Sequence, residues 1–239
     1  MGKRIAIMQP TYLPWIGYFD LIDRVEAFVL LDNVQFEKQS WQQRNRIRTA
    51  KDLEWLSIPI LNTGHSGQLI CDTRIASLQF VGKHLRALKM NYGRVRFFNE
   101  IFPEFDRCLN EAAASGMLAD LNLGLIRWLV QKLGITTPLH VSSQMGCEGR
   151  RSGLLVNICQ RLGADEYLSP VGSADYLRED RGQFDQAGIR VWLHGYEHPV
   201  YRQLYLPFLP YACVMDLLFN EGPRALEIIR SGRRDPLAL

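Results

Sequence analysis

Short apolar runs alternating with helical periodicity organise this chain. Arg4 to Met8, Ala27 to Asp32, Trp55 to Ile60, Pro138 to Ser142, Glu166 to Ser169 and Ile189 to Leu193 each have the length and apolar content of a strand. The stretch Phe28-Val29-Leu30-Leu31 is apolar without a break, as a strand covered on both faces must be, and is placed centrally in a sheet. Because strands alternate with helical patterns, parallel pairing is expected.

From Phe80 to Leu133 the pattern changes to helix signals alone. Leu118, Leu121, Leu125, Leu129 and Leu133 recur at helical spacing, and Gly134 supplies the stop. A further helix is expected from Ser152 to Leu162, with Ser152 as N-cap, Leu154, Leu155, Ile158, Cys159 and Leu162 on one face, and Gly163 just past its end. The pattern as a whole predicts an α/β fold with a mostly parallel open sheet of nucleotide-binding type. It forms a single domain over 1–239 with a helical insert or cap at 80–134. The tail Ser231-Gly232-Arg233-Arg234-Asp235-Pro236 reads as frayed.

Composition adds exclusions more than assignments. The 239 residues are 47% hydrophobic and 22% charged with a net charge of only +3, so the whole chain does not demand nucleic acid as a partner. Basic residues nevertheless cluster at Arg44, Arg46, Arg48 and Lys51, and again at Arg150 and Arg151. Five cysteines are scattered without metal or redox spacing, which points to reduced thiols and a cytoplasmic location. Only a few apolar residues follow Met1-Gly2-Lys3-Arg4, too few for a signal-peptide core, and no membrane span is expected.

The densest chemistry lies in Met8-Gln9-Pro10-Thr11-Tyr12-Leu13-Pro14-Trp15-Ile16-Gly17-Tyr18-Phe19, where the first strand hands over to the first helix. Open α/β sheets bind ligands at such junctions. Gln9, Tyr12, Trp15 and Tyr18 are therefore candidate ligand contacts, against the plainer alternative of a packed aromatic turn. Asp32 ends the second strand and serves either as a base or as a cap for the following turn. Gln35, Lys38, Trp41, Arg44 and Asn45 add amides, cations and an aromatic suited to a polar, anionic or sugar-like ligand, although an exposed basic hairpin would carry the same residues.

Gly149-Arg150-Arg151-Ser152 opens the expected helix with two cations where the macrodipole disfavours them. A bound phosphate would resolve that conflict. Gly172, Tyr176, His198, Tyr201 and Gln203 follow later strands and fall on the same rim, with His198 as general acid or base and Tyr201 and Gln203 orienting substrate. His194, Glu197 and His198 lack the register and further ligand of a metal site, so no metal is assigned.

Gln9-Pro10-Thr11-Tyr12-Leu13-Pro14-Trp15-Ile16-Gly17-Tyr18-Phe19, Leu31-Asp32-Asn33-Val34-Gln35-Phe36, Trp41, Arg44-Asn45-Arg46, Tyr167-Leu168-Ser169, His198-Pro199-Val200-Tyr201-Arg202-Gln203, Phe208-Leu209-Pro210 and Met215-Asp216-Leu217-Leu218-Phe219-Asn220 together resemble the WbqC-like protein family over nearly the full length. Cys213-Val214 departs from the pattern. The resemblance implies a place in surface-polysaccharide (O-antigen) or specialised-metabolite biosynthesis. The strand, Pro-rich turn and Gly17-Tyr18 also resemble the nucleotidyltransferase class, which carries histidine where Tyr18 stands. The expected activity is transfer from a phosphate-bearing donor, such as a nucleotide-sugar or an acyl, aminoacyl or nucleotidyl donor, to an amino sugar or related amine. Asp32, His198 or Tyr18 would move protons, and Gly149, Arg150, Arg151, Ser152 and Gly172 would hold phosphate. An aminoacyl-tRNA donor would find its landing strip along Arg44 to Lys51. The alternative is a non-catalytic glycan- or nucleotide-sugar-binding protein.

Overall fold

The computed structural model describes residues 2–61 and 67–239. In chain order the elements are β1 (Arg4–Met8), α1 (Ile16–Asp23), β2 (Ala27–Leu30), β3 (Arg44–Arg48), β4 (Leu53–Ser57), α2 (Gln79–Tyr92), α3 (Phe98–Ala113), α4 (Leu118–Leu133), β5 (Leu139–Val141), α5 (Arg151–Arg161), β6 (Glu166–Ser169), α6 (Ala174–Glu179), α7 (Arg181–Gln186), β7 (Arg190–Leu193), α8 (Val214–Glu221), α9 (Ala225–Ser231) and β8 (Leu237–Ala238). A six-stranded sheet runs β5-β2-β1-β6-β7-β8, parallel throughout except for the last pair.

Alternation along the strands explains the layers. Ala6, Phe28, Leu30 and Leu168 face the larger core with α1, α2, α3, α4, α8 and α9. Ile5, Ile7, Ala27, Val29, Tyr167 and Val191 face the other way onto α5, α6 and α7. All of β2 is buried, as its unbroken apolar run requires, and it lies inside the sheet between β5 and β1.

The helical stretch from Phe80 to Leu133 becomes α2, α3 and α4, and α4 ends at Gly134 in the left-handed conformation (φ 75°). Among the described residues no helix is long and apolar enough to cross a membrane.

Three expectations need correction. Trp55 to Ile60 does not join the parallel sheet: β4 pairs antiparallel with β3 in a separate hairpin. Ser152 is not an N-cap, because α5 begins at Arg151 and the Ser152 hydroxyl donates to Asp180 Oδ2 at 2.6 Å. The tail is docked rather than frayed. Arg233 pairs with Asp20 and Asp23 of α1, Arg234 pairs with Glu197, and β8 extends the sheet beside β7.

Candidate functional site

Met8 and Thr11 leave the carboxyl end of β1, and Pro170, Gly172 and Ser173 leave that of the adjacent β6. From this pair the chain winds outward in opposite directions, β1 toward β2 and β6 toward β7. Such a switch point opens a crevice between diverging loops, the preferred ligand position in a parallel α/β sheet. Here it is a cavity of about 410 Å³, lined additionally by Trp15, Tyr18, Trp41, Asn45, Arg46 and Tyr211.

The walls are built by backbone contacts that the loop sequence makes available. Gly17 allows the Trp15 indole to lie against α1: a Cβ at Gly17 would stand 2.3 Å from the ring. Asn45 Nδ2 donates to the carbonyls of Tyr12 and Leu13 at 3.1 and 2.7 Å, holding Leu13 at its positive φ of 43°. The segment before α8 closes the rear, where Cys213 N donates to Arg46 O at 2.8 Å and Val214 N to Pro14 O at 3.0 Å. Burial pushes the Cys213 thiol up to about 12, so it serves as packing and not as a nucleophile.

The hairpin contributes an aromatic and cationic face. Strand alternation puts Arg44 and Arg46 on one side of β3, and register places Trp55 opposite Arg46. The Arg44 guanidinium lies 4.2 Å from the Trp55 ring centre, and Arg46 lies 5.6 Å from Trp41 and 5.4 Å from Trp55. Trp41 and Trp55 are 46% and 45% exposed, so both remain partly open to solvent.

Among the expected site residues, the cavity gathers Trp15, Tyr18, Trp41, Asn45 and Gly172. Tyr18 shows the cavity little of its chemistry: burial raises its phenol well above the ordinary range, and its hydroxyl donates to Gln9 O at 3.1 Å. Gln9 accepts from Gln42 Nε2 at 2.8 Å beside this wall. Tyr12 is fully buried and turned to His84 Nδ1 at 2.8 Å. Arg44 stacks on the hairpin, while Gln35 and Lys38 are exposed on the preceding loop and Tyr176 packs beside the second core.

Asp32 lies at the end of a different strand pair. Its Oδ1 accepts from Ser142 Oγ at 3.0 Å and Ser143 N at 2.9 Å, and its Oδ2 accepts from Ser143 Oγ at 2.7 Å. With 2% exposure it has the contacts of a cap joining the ends of β2 and β5. Gly149, Arg150, Arg151 and Ser152 also lie outside the cavity lining.

His198 stands directly behind the lining. It stacks on Trp15 at 6.1 Å and meets Tyr211 edge-on at 5.1 Å. Its Nδ1 lies 2.9 Å from Pro199 O, its Nε2 is buried without a partner among the described residues, and burial holds the imidazole below the usual histidine range. Tyr201 stacks on His198 at 6.1 Å, but its hydroxyl and the Gln203 amide both donate to the buried Asp216 Oδ2, at 2.7 and 2.9 Å. Burial raises the Asp216 carboxyl despite these donors.

The sequence reading missed Met8, Thr11, Pro170, Ser173 and Tyr211 as lining residues and gave Arg46 only a share in the Arg44 to Lys51 landing strip of an aminoacyl-tRNA donor. Arg46 had a signal in its alternation with Arg44 and Arg48. Tyr211 had none, since it arrives from an irregular segment at φ 66°. Among the described residues no group of three or more His, Cys, Asp or Glu side chains is placed to hold a metal ion.

A family model described as "WbqC-like protein family" matches residues 9–228. An uncharacterized protein of Mycobacterium tuberculosis, Rv1507c, is 35% identical over 233 residues, covering 97% of this chain and 100% of that protein. No solved structure matches.

Proposed function

The chain belongs to the WbqC-like protein family, and from that premise we propose that it is a transferase whose switch-point cavity binds a phosphate-bearing activated donor. The acceptor class is an amino sugar or related amine of surface-polysaccharide or specialised-metabolite biosynthesis. One observation carries the reading: the cavity joins aromatic walls from Trp15, Trp41 and Tyr211 to a single cation, Arg46, at the carboxyl ends of β1 and β6. Aromatic faces suit a base or sugar ring, and an arginine without an ion-pair partner among the described residues suits phosphate. His198 supplies an imidazole one ring removed from the cavity through Trp15.

A non-catalytic binding protein is the second reading, favoured by a cavity lining that holds no carboxylate or imidazole among the described residues. A thermal-shift screen of nucleotides, nucleotide-sugars and acyl phosphates, followed by turnover with amine acceptors, separates the two. The transferase reading expects stabilisation that Arg46→Gln and Trp15→Ala abolish, together with product formation. Stabilisation without product supports the binding protein. Stabilisation untouched by both substitutions overturns the cavity assignment.

A further inference from the structure

A second basic concavity lies beyond the far end of the hairpin. It encloses about 1060 Å³ and is rimmed by Arg94, Arg96, Arg202 and Arg224, with exposed Leu204 and Leu206 on its floor. Its single carboxylate, Glu221, is already engaged by Arg224 at 3.7 Å and by the backbone N of Arg202 at 3.2 Å. Arg94, Arg96 and Arg202 have no ion-pair partner among the described residues. Arg224 is also paired with Glu227 at 3.8 Å, so three unpaired guanidinium groups remain, enough for more than one negative charge.

This groove lies near the cavity along β3, the two being linked through the interior by Arg48 and Tyr92, each 1% exposed. From Arg46 at the cavity, β3 advances about 7 Å to Arg48 at the rise of a strand. The Arg48 guanidinium lies 5.8 Å from the Tyr205 ring and donates to Pro207 O at 3.0 Å, beside Leu204 and Leu206 of the groove. The Arg48 N–H donates to Tyr92 Oη at 2.7 Å, and Arg94 and Arg96 follow Tyr92 at the end of α2. At the cavity end of β3 stand the half-exposed Trp41 and Trp55, 5.3 Å apart and braced by Arg44 and Arg46.

We propose that this track, from the arginine groove along the Trp55–Arg46–Trp41 face to the cavity, is the landing surface for a single-stranded polynucleotide whose end enters the cavity. A monomeric donor needs one charge and one stacking surface. The groove supplies several charges and the hairpin two stacking surfaces, the combination that binds phosphates along a strand while bases stack. The inference goes beyond the small-ligand reading of the cavity, since it assigns residues outside the lining.

Fluorescence anisotropy with labelled oligouridylate and oligodeoxythymidylate of twelve nucleotides tests it over a range of salt concentrations, with inorganic polyphosphate as competitor. Binding should weaken steeply with salt. The combined Arg94→Gln, Arg96→Gln and Arg202→Gln variant should flatten the log–log slope by about 2, at roughly 0.7 for each phosphate that is no longer neutralised. Trp55→Ala should weaken binding about tenfold by removing a stacking face, leaving the salt slope unchanged. The proposal is overturned if neither oligomer binds at low salt, if polyphosphate displaces both at equal charge, or if the arginine and tryptophan variants bind like the parent. Circular dichroism melting of each variant confirms folding. Small-ligand thermal shifts in the groove variant report on the cavity separately, so failure of one reading leaves the other measurable.

Discussion

The His198 imidazole lies nearly parallel to the Trp15 indole, 6.1 Å away with 17° between the planes, so the aromatic wall of the cavity is backed by a titratable ring. Burial keeps that imidazole below the ordinary histidine range and therefore neutral at neutral pH. If it accepts a proton during transfer, the acidic limb of the pH–rate profile should fall below the usual histidine range. His198→Gln should remove that limb while ligand-induced stabilisation persists. A profile with the same limb in both proteins would show that His198 only supports the ring in front of it.

His84 gives a stability signature of its own. Burial brings its value down to about 4, aided by Lys83 and opposed by the Ser57 backbone carbonyl, and Nδ1 lies 2.8 Å from the Tyr12 hydroxyl. The unfolded chain takes up this proton near pH 6.5 and the folded chain only near its lowered value, so stability should fall as pH drops through that window. The loss from this residue should reach about 3 kcal/mol at the acid end. Urea unfolding at about pH 7.5 and about pH 4.5, on either side of most of that window, should show the drop in the parent and a smaller one in His84→Phe.

Asp32 should behave as a cap. Asp32→Ala removes the acceptor of three hydrogen bonds from Ser142 and Ser143. The expected cost is about 2 kcal/mol in chemical denaturation. Ligand-induced thermal shifts should survive, because the residue does not line the cavity. Loss of binding or turnover at unchanged stability would instead make it part of the reaction machinery.

Asn45 should couple stability to ligand affinity. Its amide holds the Tyr12 and Leu13 carbonyls, so Asn45→Ala frees two buried acceptors at a cost of about 2 to 3 kcal/mol. Relaxation of the loop should weaken cavity ligands further than removal of a single hydrogen bond does, readable by calorimetric titration of the variant at a temperature where it is folded.

Arg233 neutralises a carboxylate that has no access to water. Asp20 is fully buried, with Arg233 Nε at 2.6 Å and His194 Nε2 at 2.8 Å on its two oxygens. Arg233→Met should destabilise by about 3 kcal/mol, since a buried charge loses its main partner. An unchanged melting temperature would show that His194 and Arg24 suffice.

The strands β1, β2, β6 and β7 were legible because both of their faces are covered, which favours apolar runs. β3 was not. Arg44-Asn45-Arg46-Ile47-Arg48 looks like a solvated basic stretch, yet Ile47 and Asn45 are buried while Arg44 and Arg46 stack on tryptophans outside. The cavity's position followed from the strand-to-helix junction, and Trp15, Tyr18, Trp41, Asn45 and Gly172 with it. Tyr201 and Gln203 defeated the sequence reading because their partner, Asp216, belongs to a helix whose inward carboxylate no local pattern reveals. The docked tail escaped for the same reason: its arginines answer acids that lie far earlier in the chain, 207 residues away for Arg230–Asp23 and 213 for Arg233–Asp20.

That last separation bears on how the molecule is made. During synthesis α1 emerges well before its partners, and its two acids receive their arginines only when residues 230 and 233 have left the ribosome. β1 likewise waits for β6, with Arg4 and Glu166 bonded across 162 residues. The pairing of the amino-terminal strand and of the helix after it is thus completed late, and until then a nascent chain presents an open sheet edge and an unneutralised helix to whatever meets it first.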